Sequence, residues 1–186
     1  REALQQVAFA LRAVVDTSGT GNVKVWRLSE ETPTEIPMNR LYVGGEVSQS
    51  AIVTEVRVTA HTYSTSGSGS DTVEVGGKTY YHTTAVTVKQ NPNITASTKP
   101  NVVEVKDATL VNSTNVAAVT QHVFDYYMRR QTHSVQIVMD KELPGDYVDT
   151  TTPWDDHITG TITSMTIKLS GIAAAECDIV GMGASA

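Results

Sequence analysis

His122 and Asp125 stand three residues apart in a helical pattern, which is the spacing of an acid–base couple on one helix face. A hydrolase built on that couple also needs a nucleophile within hydrogen-bond reach, and no Gly-x-Ser-x-Gly elbow or comparable turn supplies one. The couple is therefore read as helix surface. The acidic segment "PGDYVDTTTPWDDH" is the best candidate for a metal, with Asp146, Asp149, Asp155, Asp156 and His157 as oxygen and imidazole donors. Its spacing fits neither a calcium loop nor a helical histidine pair, and aspartate is also a preferred turn residue, so the segment is read as turns. His61 and His82 lie on strand-like runs that face each other in no fixed order, and the five histidines form no ligand set. Any two of Glu46, Glu55, Glu74 and Glu104 offer paired carboxylates, but glycoside cleavage needs a separation that sequence does not fix. Trp26, Trp154, Tyr80 and Tyr81 are candidates for a sugar or peptide platform. With aromatics at 6% of the chain, packing in hairpins is the reading preferred for them.

One stretch gathers most of these residue types. "FDYYMRRQTHSVQIVMDKELPGDYV", Phe124 to Val148, holds paired tyrosines, paired arginines, a histidine and a Pro-Gly-Asp. The helix "NSTNVAAVTQHVFDYYMRRQ" runs into it, with an N-cap expected from the Asn-Ser-Thr-Asn cluster. Val116, Val119, Val123 and Tyr127 are expected to form the buried stripe, widened by Phe124 and Tyr126. Arg129 and Arg130 are placed in the last helical turn, where positive charge complements the helix dipole. These residues are thus assigned to construction, and no catalytic, cofactor-binding or metal-binding residue is assigned anywhere in the chain.

The rest of the sequence supplies the scaffold. Leu4, Val7, Ala8 and Leu11 recur on one helical face, giving a helix over residues 2 to 13. Gly19, Gly21 and Asn22 punctuate a hairpin after it, and "SEETPTEIP" reads as a polar loop. From Ile52 to Tyr63 apolar and polar residues alternate, with Val56, Val58 and Ala60 on one side and Glu55, Arg57, Thr59 and His61 on the other. "STSGSGSD" is a loop tip, and Gly76-Gly77 closes a tight primed hairpin in "TVEVGGKTYYH". "TAVTVKQ" and "NVVEVK" are further strands around the polar linker "NPNITASTKP". Val135, Ile137 and Met139 mark another strand, and "ITGTITSMTIKL" and "IAAAECDIVG" close the chain before a frayed "MGASA". The fold expected is α+β and β-rich, with antiparallel sheets or barrel-like units and two helices, each opening one half. The halves are placed at 1–100, a helix-plus-hairpin and β lobe, and 101–186, a helix-plus-β-barrel-like lobe.

Composition narrows the function classes. The chain has 186 residues, 40% hydrophobic and 18% charged, which suits a folded core. A net charge of −6 with scattered Lys and Arg argues against nucleic acid or an anionic membrane as partner. The single cysteine, Cys177, in an apolar run, leaves no internal disulfide framework and reads as a core residue. The chain opens on Arg1 rather than Met, directly in a helical pattern, so it is expected to be part of a longer protein.

The run from Ala117 through Asp146 resembles the barrel portion of bacteriophage tail hub and baseplate proteins. The elements that carry the resemblance are the helix ending in "FDYYMRRQ", the strand "SVQIVM" and the turn "PGDYV", with "HITGTITSMTIKLSGIAAAECDIVG" as closing strands. "REALQQVAFALRAVVDTSGTGNVKVWRL" resembles the family's helix followed by a hairpin. The resemblance implies a structural assembly domain of a phage or prophage tail, not an enzyme and without cofactors. It implies association with other tail proteins and with copies of itself, as a homo-oligomer in the virion tail after assembly in the bacterial cytoplasm. The other reading is a carbohydrate- or peptide-binding module of a secreted bacterial protein, which would show a groove around Trp154 or Tyr80. A metal-dependent hydrolase ranks last.

Overall fold

A computed structural model describes residues 2–16, 23–27, 32–67 and 71–183. The order is α1 (Glu2–Leu11), β1 (Ala13–Asp16), β2 (Lys24–Arg27), β3 (Thr34–Ile36), a 3-10 turn (Met38–Arg40), β4 (Glu46–Gln49), β5 (Glu55–Ser64), β6 (Thr72–Val75), β7 (Lys78–Gln90), β8 (Val102–Val105), α2 (Val116–Met128), β9 (Gln131–Val138), β10 (Tyr147–Thr151), β11 (His157–Ser170) and β12 (Ile172–Gly183). This is the β-rich α+β fold expected, with two helices among the described residues. It groups into two compact units, Arg1–Ser29 with Val53–Tyr126, and Glu30–Ile52 with Tyr127–Ala186.

In the first unit β1 and β2 form an antiparallel pair, and the expected turn residues Gly19, Gly21 and Asn22 fall outside the described residues. A second sheet has the order β6-β7-β5-β8, with β8 parallel to β5 and the other pairs antiparallel. Gly76 and Gly77 join β6 to β7 with φ of 58° and 73°, a two-residue turn in which both residues need the left-handed region. "TAVTVKQ", read as a separate strand, continues this same β7, whose thirteen residues run unbroken. Val56, Val58 and Ala60 are buried on one face of β5, as the alternation required. The alternation ends at His61, which is also buried, because the segment after β8 covers it: His61 N–H donates to Val111 O at 2.7 Å.

α2 buries Val116, Val119, Thr120, Val123 and Phe124. Tyr126 and Tyr127, expected on that stripe, are exposed, in the last turn of the helix beyond its last buried residue, Phe124. The Asn112 and Asn115 side chains do not cap the first turn of α2. They close the turn before it, Asn112 Oδ1 accepting from Thr114 N and Asn115 Oδ1 from Asn112 N. α1 forms as expected, but Leu4, Val7 and Leu11 are about half exposed and only Ala8 is buried.

The second unit is one six-stranded sheet, β3-β10-β11-β12-β9-β4, antiparallel except for β3 against β10. "SEETPTEIP", read as loop, therefore contributes an edge strand: Thr34, Glu35 and Ile36 pair with Val148, Asp149 and Thr150. Three residues are too short for a period to show in sequence, and pairing supplies what propensity does not. Ile36, Val135, Ile137, Val148, Ile158, Ile162, Ala175, Cys177 and Ile179 form one buried cluster, with Leu41 and Val47 packed on it. Strands from both edges thus meet over one core, so the sheet curls on itself in a half-barrel. Cys177 is the core residue its apolar run implied, and burial, then Glu142 and Asp178, raise its thiol to about 11. Met182 and Gly183, expected to fray, complete β12, while the last three residues lie outside those described.

Candidate functional site

The catalytic candidates are occupied in structure. Asp125 Oδ1 accepts from Gln121 Nε2 at 2.7 Å, one turn back on α2. In the acidic segment, Asp149 holds the strand that follows it: its carboxylate accepts from His157 Nδ1 at 3.1 Å and Thr159 Oγ1 at 3.3 Å. Asp146 Oδ2 accepts from Leu143 N, closing the Pro-Gly-Asp turn, and Asp155 sits at φ 62° in the turn before β11. Among the described residues no group of three or more His, Cys, Asp and Glu converges to hold a metal. Trp154 is exposed, and the cavities at the sheet faces are lined by neither Trp154 nor Tyr80.

The arginine pair does not belong to the helix. α2 ends at Met128, so Arg129 and Arg130 follow it, and both hold the curled sheet. Arg130 sets its guanidinium fork on Ser50 O at 3.1 and 2.9 Å, while Ser50 N–H donates to Arg130 O at 2.8 Å, extending the β4–β9 ladder. Arg129 reaches Thr161 Oγ1 at 3.4 Å and lies 6.0 Å from the centre of the Tyr147 ring. The pair thus ties strands together rather than complementing a helix dipole.

Three polar constellations were not visible in sequence. The first joins strands of the four-stranded sheet. His61 Nε2 meets Lys106 O at 2.7 Å, His61 Nδ1 meets His82 Nε2 at 2.9 Å, and His82 Nδ1 meets Asp71 Oδ2 at 2.6 Å. The two imidazoles are nearly coplanar, 3° apart, and Tyr63 stacks on His82 with centroids at 4.8 Å. Carbonyl and carboxylate oxygens only accept, which assigns hydrogens to His61 Nε2 and His82 Nδ1. The pairing of Tyr63 with His82 across β5 and β7 fixes the two histidines diagonally, an order that the separate runs do not reveal.

The second is the clamp between Arg40 and Glu142 in the curled sheet. Arg40 donates from Nε and Nη2 to Val138 O at 3.0 and 2.7 Å, and from Nη2 to Glu142 Oε2 at 2.8 Å. Asp140 N–H donates to the same Oε2 at 2.9 Å. Burial would raise the Glu142 carboxyl, but the Arg40 hydrogen bond and the Asp140 and Glu142 amides prevail and hold it at about 2. In the third, Asp178 on β12 accepts from Ser134 Oγ and Ser164 Oγ, both at 2.7 Å, so one carboxylate ties three neighbouring strands and is lowered by those bonds. All three constellations fasten strands and loops together.

Comparison with solved structures matches this architecture over nearly the whole chain. A protein of the virion of a native gene transfer agent particle matches with a TM-score of 0.58 at 13% identity, covering 95% of this chain and 38% of that one. The 43 kDa tail protein of prophage MuSo2 from Shewanella oneidensis matches at 0.59 and 11% identity, over 97% of this chain and 54% of that one. A prophage tail protein from Listeria monocytogenes matches at 0.51 and 12% identity, over 96% and 51%. The chain has the fold of phage tail proteins. It spans 38% to 54% of the length of these structures. Neither a family model nor a curated protein matches the sequence.

Proposed function

We propose that this chain is a structural, non-catalytic assembly domain of a phage or prophage tail, of the hub or baseplate kind. The observation that carries the reading is the tail-protein fold spanning at least 95% of the chain in each likeness. The placement of the polar groups supports it. His61, His82, Asp149, Asp178, Arg40 and Glu142 are all engaged in holding strands, which leaves surface shape as the means of action.

The surfaces suited to assembly are apolar and stand at the ends of elements. β11 and β12 pair out to Ser170 and Ile172, whereas β10 leaves β11 at Thr161 and β9 leaves β12 at Ala174. The closed end of this hairpin therefore runs beyond its neighbours, and it exposes Ile167, Leu169 and Ile172. Exposed strand edges with apolar side chains are sites where another chain adds on. Copies of the same chain and neighbouring tail proteins are the partners proposed, within the virion tail, without nucleic acid or membrane as ligand.

Light scattering of the protein over a range of concentrations tests the reading. A closed oligomer is expected. A monomer at every concentration, together with binding of an oligosaccharide or peptide by the isolated protein, would replace assembly with the binding-module reading.

A further inference from the structure

The edge strands of the two larger sheets are guarded in one way. β3, β4, β6 and β8 are three or four residues long, and each carries a glutamate: Glu35, Glu46, Glu74 and Glu104. Shortness and charge both keep a strand edge from pairing with another chain. Two longer stretches lack this guard, one in each unit.

The first is on β7. β6 borders that strand only from Lys78 to Tyr81, whereas β5 follows it from Tyr81 to Gln90. His82 N–H donates to Asp71 O on the β6 side, and Asn91 N–H donates to Thr54 O on the β5 side, both at 2.9 Å. Successive residues of a strand turn their backbone groups to opposite sides, so Thr84, Val86 and Val88 direct theirs away from β5. Among the described residues no strand meets them there. The stretch "TTAVTV", residues 83 to 88, has no charge, proline or glycine, and Val86 and Val88 are exposed.

The second is on β11, in the part of the hairpin that runs beyond its neighbours. β10 leaves it at Thr161, and the turn before β10 follows only to Ile162, whose N–H donates to Asp146 O at 3.0 Å. Across the hairpin, Ala173 stands opposite Leu169 and turns its carbonyl outward, accepting from Met139 N–H at 2.9 Å. Opposed residues of an antiparallel pair exchange both bonds or neither. Leu169 therefore turns its own groups away from β12, and so do Ile167 and Met165, at every second position of an unbroken register. The charge in this stretch, Lys168, is engaged by Glu176 of the same hairpin.

Resting on the assembly reading, we propose that a second copy of this chain lays the open side of its β11 against the open side of β7, adding its hairpin to the four-stranded sheet. Both stretches offer outward groups over five residues, and pairing them centre to centre sets Val86 against Ile167, so that two exposed apolar side chains leave water together. Two β7 edges joined about a two-fold axis would complete one stretch and leave β11 bare. The unlike pairing completes both in every copy and passes from one copy to the next, as a ring requires.

Two variants of the full chain, Val86→Cys and Ile167→Cys, carry the test. Both sites are exposed, and Cys177 is buried with its thiol raised to about 11, so a short bismaleimide at neutral pH reacts at the new cysteines. The expected result is a cross-linked dimer when the two variants are mixed and none from either alone, at concentrations where light scattering shows the oligomer. Amide hydrogen exchange of the wild type supplies a second reading that needs no variant. Thr84, Val86 and Val88 should exchange at least about tenfold more slowly in the oligomer, while Ala85 and Thr87, bonded to β5, stay slow throughout. Cross-linking of Val86→Cys to itself would overturn the proposal in favour of like edges meeting. An oligomer that forms without the mixed cross-link and without slowed exchange would overturn it and leave the assembly reading standing. Absence of any oligomer would remove both.

Discussion

Glu142 shows how a single carboxylate couples the stability of the curled sheet to pH. Its folded value, about 2, lies below the ordinary 4.5, so the folded state favours the ionised form. The stabilisation is complete above the ordinary value and is lost as the pH falls from there through the folded value. The difference corresponds to about 3 kcal/mol for a side chain only 2% exposed. Urea unfolding of the wild type should lose stability by about that amount between neutral pH and about pH 2, beyond what other groups contribute, and Glu142→Gln should flatten this part of the profile. An unchanged profile in Glu142→Gln would assign the acid sensitivity elsewhere. Within the four-stranded sheet, His82→Phe keeps a ring against Tyr63 but removes the bonds to Asp71 and His61. It should destabilise the fold by about 1–3 kcal/mol, because the buried His61 Nδ1 loses its partner. Equilibrium unfolding reads this directly, and an unaltered midpoint would mean that the histidine chain contributes nothing.

At the scale of elements, the paired strands β11 and β12 approach so closely that glycine is required at their crossing. Gly160 stands opposite Gly181, and a Cβ on Gly181 would lie 2.1 Å from Thr159 O and 2.7 Å from Gly160 Cα. Both obstacles are backbone, which cannot swing aside. Gly181→Ala should therefore cost about 4 kcal/mol, near the upper end for a single substitution, with Gly171→Ala at the hairpin turn as a milder comparison. Thermal unfolding of the two variants ranks them, and a tolerated Gly181→Ala would show that the strands can separate here. Neither glycine reads this way in sequence, where each is one small residue in a β-prone run. What was legible there was local: the two helices, the Gly76-Gly77 turn, the valine alternation of β5 and the strand over Val135 and Ile137 all follow from short-range pattern. What was not legible depends on pairing between distant segments. β3 exists because Thr34–Ile36 finds β10, the arginine pair serves strands because Ser50 lies beside Arg130, and His61 meets His82 because Tyr63 fixes the register. His133 reads as a residue past a helix and is in fact a strand residue facing the core, which only the curl of the sheet decides.

At the scale of the whole molecule, the assembly reading depends on surfaces that are costly to leave in water. Leu169 at the closed end of the β11–β12 hairpin is 82% exposed, with Ile167 on the same face and Ile172 on the other, while the core beneath the sheet is closed by other residues. Such side chains do little for the stability of an isolated chain, so a charge placed there should leave unfolding within about 0.5 kcal/mol of the wild type. Their effect should instead fall on association, where each buried apolar side chain contributes roughly 1.5–3 kcal/mol. The double variant Leu169→Asp, Ile172→Asp should therefore keep its thermal midpoint and shift its sedimentation toward smaller species by an order of magnitude or more in concentration. α1 offers an internal comparison, because Leu4, Val7 and Leu11 are also exposed, on a helix in the other unit. If Leu4→Asp disturbs association and the hairpin variant does not, assembly runs through the helical face. If neither does, and both proteins remain folded, apolar contact at these surfaces is not what joins the copies, and the assembly reading loses its physical basis in this chain.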